Sequence, residues 1–515
     1  QCLRRLKAWR KNPVSVGGAL WSAAEAGHTM FVPDLDVPRT RFSRRDLLRG
    51  LAGLSLAVEA AGAANAQEET MPERPSFVLF YTDDQGYGDL GCMGAVDLST
   101  PHLDSLAASG ALLRQWYSNS PVCSPSRASV LTGRYPFHAG VRSILGGHRQ
   151  ATGLPPTVPT IAEALKPLGY HTAMVGKWHL GVAEEFRPHH HGFDEWYGFL
   201  AGCIDYYSHI FYWGGQPVHD LWDNNREVWD NGRYFTDVVG ERAVGYIDRV
   251  APTGDPFFLY VPFSAPHYPM HAPARYLDRF PGLPWERRIM AAMLAAVDDA
   301  VGAVLAALER HGRRGNTFVY FQSDNGPSRE SRNWLDDTMT PYHGGTAGAL
   351  RGHKFSLFEG GIRVPALCSW PARIPAGQVI EQPGAAMDVF PTFLRAAGGD
   401  PAAYKLDGRD FLPLVTDGAA SAHEALFLEM DQQTAVRRGP WKLVLNGQLV
   451  EDEPPAAEVH LANLEDDPGE RTNLAERLPE LAAELRQQAL QWREGVEAHW
   501  RSTWQPMARP ATGHG

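Results

Sequence analysis

The sequence predicts an α/β protein. A large mixed, mostly parallel sheet is flanked by helices on both faces, and a smaller C-terminal α+β domain is built on a short antiparallel sheet. Three observations carry this. From Pro75 onward, apolar runs of strand length alternate with amphipathic helical segments. Within Glu286 to Arg310, Met290, Met293, Leu294, Val297, Val301, Val304, Leu305 and Leu308 recur at spacings of three and four, one buried stripe that runs on into the strand-like "NTFVYFQ". Beyond about residue 415 the composition changes: "EALFLEM", "TAVRRGPWKLVLN" and "EVHLANL" read as antiparallel strands, closed by a helix over Leu478 to Trp492. The expected division is a leader over 1–66, a main domain over 67–415 and the small domain over 416–515.

Of the 515 residues, 44% are hydrophobic, enough for a large core. The formal net charge of −11 argues against nucleic acid and anionic membrane as partners, since both need a surplus of Lys and Arg. An anionic substrate must therefore meet positive charge concentrated locally. Five cysteines are too few and too scattered for a disulfide framework; Cys92, Cys203 and Cys368 allow one bridge at most. "SRRDLLRGLAGLSLAVEAAGAANAQ" joins Arg44 and Arg45 to an apolar stretch ending Ala64-Asn65-Ala66, the layout of a cleaved twin-arginine-like export signal, which predicts delivery to the bacterial periplasm. Its apolar part is too short to span a bilayer, so no stable membrane insertion is expected.

Each apolar run ends in residues capable of chemistry. "SFVLFYT" is succeeded by Asp83 and Asp84, "HTAMVG" by Lys177, Trp178 and His179, "FFLYVPFSAP" by His267, and "NTFVYFQS" by Asp324 and Asn325. Taken singly, these are ordinary turns, surface charges or core histidines. In an open parallel sheet, however, the carboxyl ends of the strands share one edge, where ligands bind. Carboxylate and amide oxygens without soft ligands suit a hard cation, calcium or magnesium, and four protein ligands favour calcium, because magnesium tends to keep its water.

A thiol is a poor ligand for such an ion, yet "SPVCSPSRASVLTGRYP" places Cys123 at the start of a helix, with Pro125 in its first turn and Arg127 beyond. This stretch resembles the signature of the sulfatases, in which the cysteine of Cys-x-Pro-Ser-Arg is oxidised to formylglycine by a formylglycine-generating enzyme. "YTDDQGYGDLGCMG", "VGKWHLG", "HHGFDEWYGFLAGCIDYYSH", "FSAPHYP", "QSDNG" and "LRGHKFSLFEGGIRVP" occur in the family's order. The likeness is greatest to arylsulfatase B and its bacterial relatives, which hints at a sulfated amino sugar. "NLEDDPGERTNLAE" is similar to the family's C-terminal domain. Gln85 departs from the pattern, standing where Leu or Met commonly follows the paired aspartates.

The resemblance implies an alkaline-phosphatase-like fold and hydrolysis of aryl or carbohydrate sulfate monoesters by a formylglycine hydrate, through a covalent sulfo-enzyme intermediate. It implies that Asp83, Asp84, Asp324, Asn325 and modified Cys123 hold a calcium or magnesium ion. Arg127 would steady the hydrate and Lys177 grip the sulfate. His179 would take a proton in the elimination step, while His267 and Lys354 assist the departing oxygen. A phosphonate or phosphate ester hydrolase of the same superfamily is the alternative; a non-catalytic binding protein is the other, should Cys123 stay a thiol. Aromatic residues between Trp196 and Tyr234, including Tyr206, Tyr207, Phe211, Tyr212, Trp213, Trp222 and Trp229, suit either a substrate wall or core packing.

Overall fold

The computed structural model describes residues 74–213, 216–330, 342–449 and 455–507. The expected leader and export signal lie outside the described residues. Thr70–Gly515 forms one compact unit.

Among the described residues, ten strands make the main sheet. They are β1 (Ser76–Thr82), β2 (Ala111–Leu113), β3 (His171–Lys177), β4 (Glu195–Phe199), β5 (Trp222–Asp223), β6 (Arg226–Glu227), β7 (Phe257–Pro262), β8 (Thr317–Ser323), β9 (Ala366–Ser369) and β10 (Gln378–Ile380). Their spatial order is β10-β2-β9-β8-β1-β7-β3-β4-β5-β6. The five central strands, β8 to β4 in that order, are all parallel; antiparallel pairing appears only toward the edges, at β9 and β5.

The apolar runs are continuous because both faces of the sheet are covered. With a side-chain period of two, Val78 and Phe80 of β1, Leu259 and Val261 of β7 and Val319 and Phe321 of β8 enter one core. Phe77, Leu79 and Tyr81, Phe258 and Tyr260, and Phe318 and Tyr320 enter the other. The first core is roofed by helices Phe235–Val250 and Trp285–Arg310, the second by helices Cys123–Thr132 (α1) and Val389–Ala396. Trp285–Arg310 is long and apolar enough to cross a membrane, but 78% of its most apolar window is buried inside the protein, as a core helix requires.

The carboxyl-terminal strands β11 (Leu426–Met430), β12 (Gln433–Arg438), β13 (Trp441–Gly447) and β14 (Ala457–Asn463) pair in sequence order, all antiparallel. The closing helix runs from Pro479 to Thr503, well beyond the expected Trp492, because its buried stripe of Ala482, Leu485 and Ala489 continues to Val496. Cys92, Cys123, Cys203 and Cys368 are all free, so the bridge allowed by composition does not form among the described residues.

Candidate active site

The four strands β8, β1, β7 and β3 are neighbours, so their carboxyl ends bring the sequence-predicted groups together. Asp324 and Asn325 follow β8, Asp83 and Asp84 follow β1, His267 lies five residues past β7, and Lys177 ends β3, with His179 two residues on. All of these side chains are buried. Asp84 and His179 adopt positive φ of 62° and 53°, a left-handed backbone that costs non-glycine residues energy and is typically retained where function needs it.

Cys123 is the first residue of α1, with Val122 as the N-cap. Cys123 thus opens the helix, with Pro125 in the first turn as expected. The leading N–H groups of a helix have no intrahelical acceptor and favour an anion beside residue 123. Burial pushes the Cys123 thiol far above its ordinary pKa, despite the opposing charges of Lys177 and Lys354. An unmodified thiol here stays protonated and is a weak nucleophile.

The carboxylates are tied by a dense set of bonds. Lys177 Nζ donates to Asp83 Oδ2 at very short range. Arg127 Nε and Nη2 donate to Asp324 Oδ2 at 3.1 and 2.9 Å, and its Nη1 to the Lys177 carbonyl at 3.2 Å. Asn325 Nδ2 donates to Asp84 Oδ1 at 2.8 Å, and Lys354 Nζ to Asp84 Oδ2 at 3.1 Å. Burial alone would raise the pKa of Asp83, but Lys177, His267, Arg127 and Lys354 outweigh it and hold the group ionised. Asp324 is pushed up by burial and by the charge of Asp83, with Arg127 pulling the other way.

Two buried oxygens, Asp83 Oδ1 and Asn325 Oδ1, find no hydrogen-bond partner among the described residues. Unpartnered carboxylate and amide oxygens beside Asp84 and Asp324 are the donor set of a hard divalent cation, so the residues present fit such an ion. Ligand atoms of Asp83, Asp84, Cys123 and His267 all lie within 4.8 Å of one another.

His179 Nε2 lies 3.2 Å from the Leu145 carbonyl, so Nε2 carries the proton and Nδ1 is left as the base. Burial, then Lys177 and Arg127, hold its pKa well below the ordinary value and keep it neutral. His267 Nδ1 donates to the Tyr268 carbonyl at 2.7 Å, and Nε2 faces Asp84 Oδ2 at 3.7 Å. Gln85, whose amide bonds Thr82 and the Asp89 carbonyl, joins the ends of its own turn.

A cleft of about 330 Å³ opens over this cluster, bounded by Cys123, His179, His267 and Lys354. Lys177 and Arg127 are wholly buried and engage Asp83 and Asp324. The aromatic segment divides between its two expected uses. Tyr206 is in the core, Phe211 and Trp213 bound the cleft, and Trp222 lies under the Arg187 guanidinium, 4.3 Å from the ring centroid. Trp229 stays exposed against His219. Two cleft features escaped the sequence reading. Gly202 permits the approach of His179, because a Cβ there would lie 2.8 Å from Nε2. Glu330 also lines the cleft; it stands five residues past Asn325 in a polar run with no pattern to single it out.

Residues 75–399 match the family model described as Sulfatase. The chain belongs to the sulfatase family. This sulfatase is 35% identical over 387 residues to the N-acetylgalactosamine-6-sulfatase of Sus scrofa, covering 72% of each chain. It is 34% identical over 484 residues to arylsulfatase A of Bos taurus, covering 85% of this chain and 90% of that one. Among solved structures it resembles Ps i-CgsB in complex with k-i-k-neocarrahexaose, with a TM-score of 0.73 and 30% identity over 84% of this chain and 98% of the other. The sulfatase is accordingly a sulfuric ester hydrolase with the family's mostly parallel sheet.

Proposed function

We propose that this sulfatase hydrolyses sulfate monoesters of carbohydrate or aryl alcohols by means of formylglycine made from Cys123 and a bound divalent cation, calcium in preference to magnesium. The observation that carries the reading is the placement of residue 123 at the first turn of α1, within 4.8 Å of the Asp83 and Asp84 carboxylates and His267. The names of the similar proteins support sulfated sugars as the substrate class.

Asp83, Asp84, Asp324 and Asn325 would hold the cation, with the unpartnered Asp83 Oδ1 and Asn325 Oδ1 supplying two of its oxygens. The modified residue with its cation would supply a hydrated aldehyde as the nucleophile toward sulfur. Arg127 fixes Asp324 from behind, and Lys177 fixes Asp83. Lys354 Nζ, on the cleft wall, meets the sulfate and the negative charge that develops on the departing oxygen. His267, with Nδ1–H bonded to the Tyr268 carbonyl, would as the imidazolium give its Nε2 proton to that oxygen and be left neutral. His179, neutral and with Nδ1 free, takes the proton released when sulfate is expelled. Export to the periplasm remains the reading of Arg44, Arg45 and the Ala64-Asn65-Ala66 site.

Mass spectrometry of the tryptic peptide Gln115 to Arg127 from protein made in its native host tests the modification, with an aldehyde in place of the CH2–SH group as the expected mass. Turnover of 4-nitrophenyl sulfate is expected to exceed that of a phenylphosphonate monoester. Dominance of the phosphonate would reassign the chemistry, and an intact thiol in fully active enzyme would overturn the mechanism.

A further inference from the structure

Among the described residues, the cleft contains one carboxylate that the reaction does not use. Glu330 Oε2 accepts from Lys354 Nζ at 2.8 Å and from Ser328 Oγ at 2.9 Å, while Oε1 meets the Tyr268 hydroxyl at a long 3.4 Å. Its side chain is only 11% exposed, and Lys354 beside it is 2% exposed. Lys354 is shared, since its ammonium also donates to Asp84 at 3.1 Å, and its backbone N–H is fixed to the Pro327 carbonyl at 3.1 Å. The two loops that carry Lys354 and Glu330 are thereby joined on one wall of the cleft.

A negative charge in a site for an anionic ester needs a physical reason. One part is positional: with Asp84 directed to a cation, Glu330 is the counter-ion that holds the Lys354 ammonium on the wall. The other part concerns the alcohol half of the substrate. A carboxylate has about four acceptor positions, and the Tyr268 contact at 3.4 Å engages Oε1 weakly. An acceptor of this kind recognises a neutral donor, a hydroxyl or an amide N–H, and repels an anion placed in the same spot.

We infer that Glu330 selects the leaving group: it accepts a hydrogen bond from a hydroxyl or amide N–H beside the scissile ester, and excludes leaving groups that carry a second sulfate or carboxylate there. The substrate class is then a sugar sulfated once at the reacting end. This rests on the sulfatase reading above, and Glu330 acts as a positioning and specificity residue without entering the bond-making step.

The test compares wild-type enzyme, Glu330→Gln and Glu330→Ala, each with its Cys123 conversion measured, on 4-nitrophenyl sulfate, galactose 6-sulfate and galactose 4,6-disulfate. Wild type is expected to prefer the monosulfated sugar to the disulfated one. Glu330→Gln, which keeps the shape and removes the charge, is expected to narrow that preference in kcat/KM by about tenfold, the effect of roughly 1.4 kcal/mol of relieved repulsion. Glu330→Ala is expected to raise KM for galactose 6-sulfate several-fold more than KM for 4-nitrophenyl sulfate, which has no donor next to its ester. Parallel losses on all three substrates would reduce Glu330 to a support for Lys354 and overturn the proposal, as would a wild-type preference for the disulfate. Failure of converted wild-type enzyme to cleave any sulfate sinks the sulfatase mechanism itself, and the selectivity claim with it. Should the alanine variant misfold, the isosteric glutamine variant carries the decision.

Discussion

Arg127 Nε and Nη2 both donate to a single oxygen of Asp324, at 3.1 and 2.9 Å, with neither side chain reaching solvent. Asp83 lies 3.4 Å from the same guanidinium. Removing the guanidinium leaves buried Asp324 without its ion-pair partner and next to the Asp83 carboxylate, so Arg127→Ala is expected to cost about 3–5 kcal/mol of stability, the usual penalty for breaking a buried pair from one side. Arg127→Lys keeps the charge but cannot span both Asp324 and the Lys177 carbonyl, and should fall between. Urea denaturation measures both; a loss under about 1 kcal/mol for the alanine variant would show that the pair is not what holds these carboxylates in place.

Chelation acts on the same cluster from the other side. Asp83 Oδ1 and Asn325 Oδ1, buried and without a partner among the described residues, would be stabilised by a bound cation. Exhaustive removal of divalent ions is expected to abolish sulfate ester hydrolysis and to lower the melting temperature. A cation at 100 times its Kd restores about 2.7 kcal/mol. Calcium should restore activity at a lower concentration than magnesium, and Asp83→Asn should blunt the response to both. Full turnover in metal-free enzyme would remove the cation from the mechanism.

The parts of the site legible in the sequence were those fixed by strand geometry. Continuous apolar runs ending in Asp83, His267 and Asp324 could be placed because parallel strands buried on both faces have one register-independent property: their carboxyl ends meet. Lys177 was legible as a member of this cluster; whether its ammonium faces a substrate or a carboxylate depends on packing between β3 and β1, which no spacing encodes. Gly202 and Glu330 lie on loops, where position is set by tertiary contacts with His179 and Lys354. The closing helix was cut short for a simpler reason: between Ala489 and Val496 the face is carried by half-buried residues, and the apolar stripe fades before it resumes.

Gly202→Ala isolates the positioning of the base. The added methyl would lie 2.8 Å from His179 Nε2, so the ring must move or lose its bond to Leu145. A displacement near 1 Å at a catalytic group can cost about a hundredfold in rate. The variant is expected to lose between about tenfold and a hundredfold in kcat with little change in melting temperature. Unchanged kcat would show that the ring accommodates the methyl without consequence.

A second buried charge cluster, away from the cleft, makes stability depend on pH. Lys442 Nζ is shared by Glu359 Oε1 at 3.0 Å and Glu470 Oε1 at 3.1 Å, all three wholly buried, with Arg363, Arg437, Tyr117 and His460 among the groups that act on them. Burial would raise Glu359, but Lys442, Arg363 and Arg437 bring it down to about 2, whereas burial prevails at Glu470 and lifts it to about 7. The signs are opposite. Glu359 contributes stability above its unfolded pKa, and that contribution is lost as pH falls toward 2. Glu470 holds a proton in the folded state that the unfolded chain has already released, so its contribution falls as pH rises from its ordinary 4.5 to about 7. Wild type should lose on the order of 3 kcal/mol across that window from this group. Glu470→Gln has no proton to release. Its stability is expected to gain on wild type between about pH 4.5 and about pH 7 in urea titrations and to level off above that, and parallel curves would show that Glu470 is ionised in the folded protein throughout.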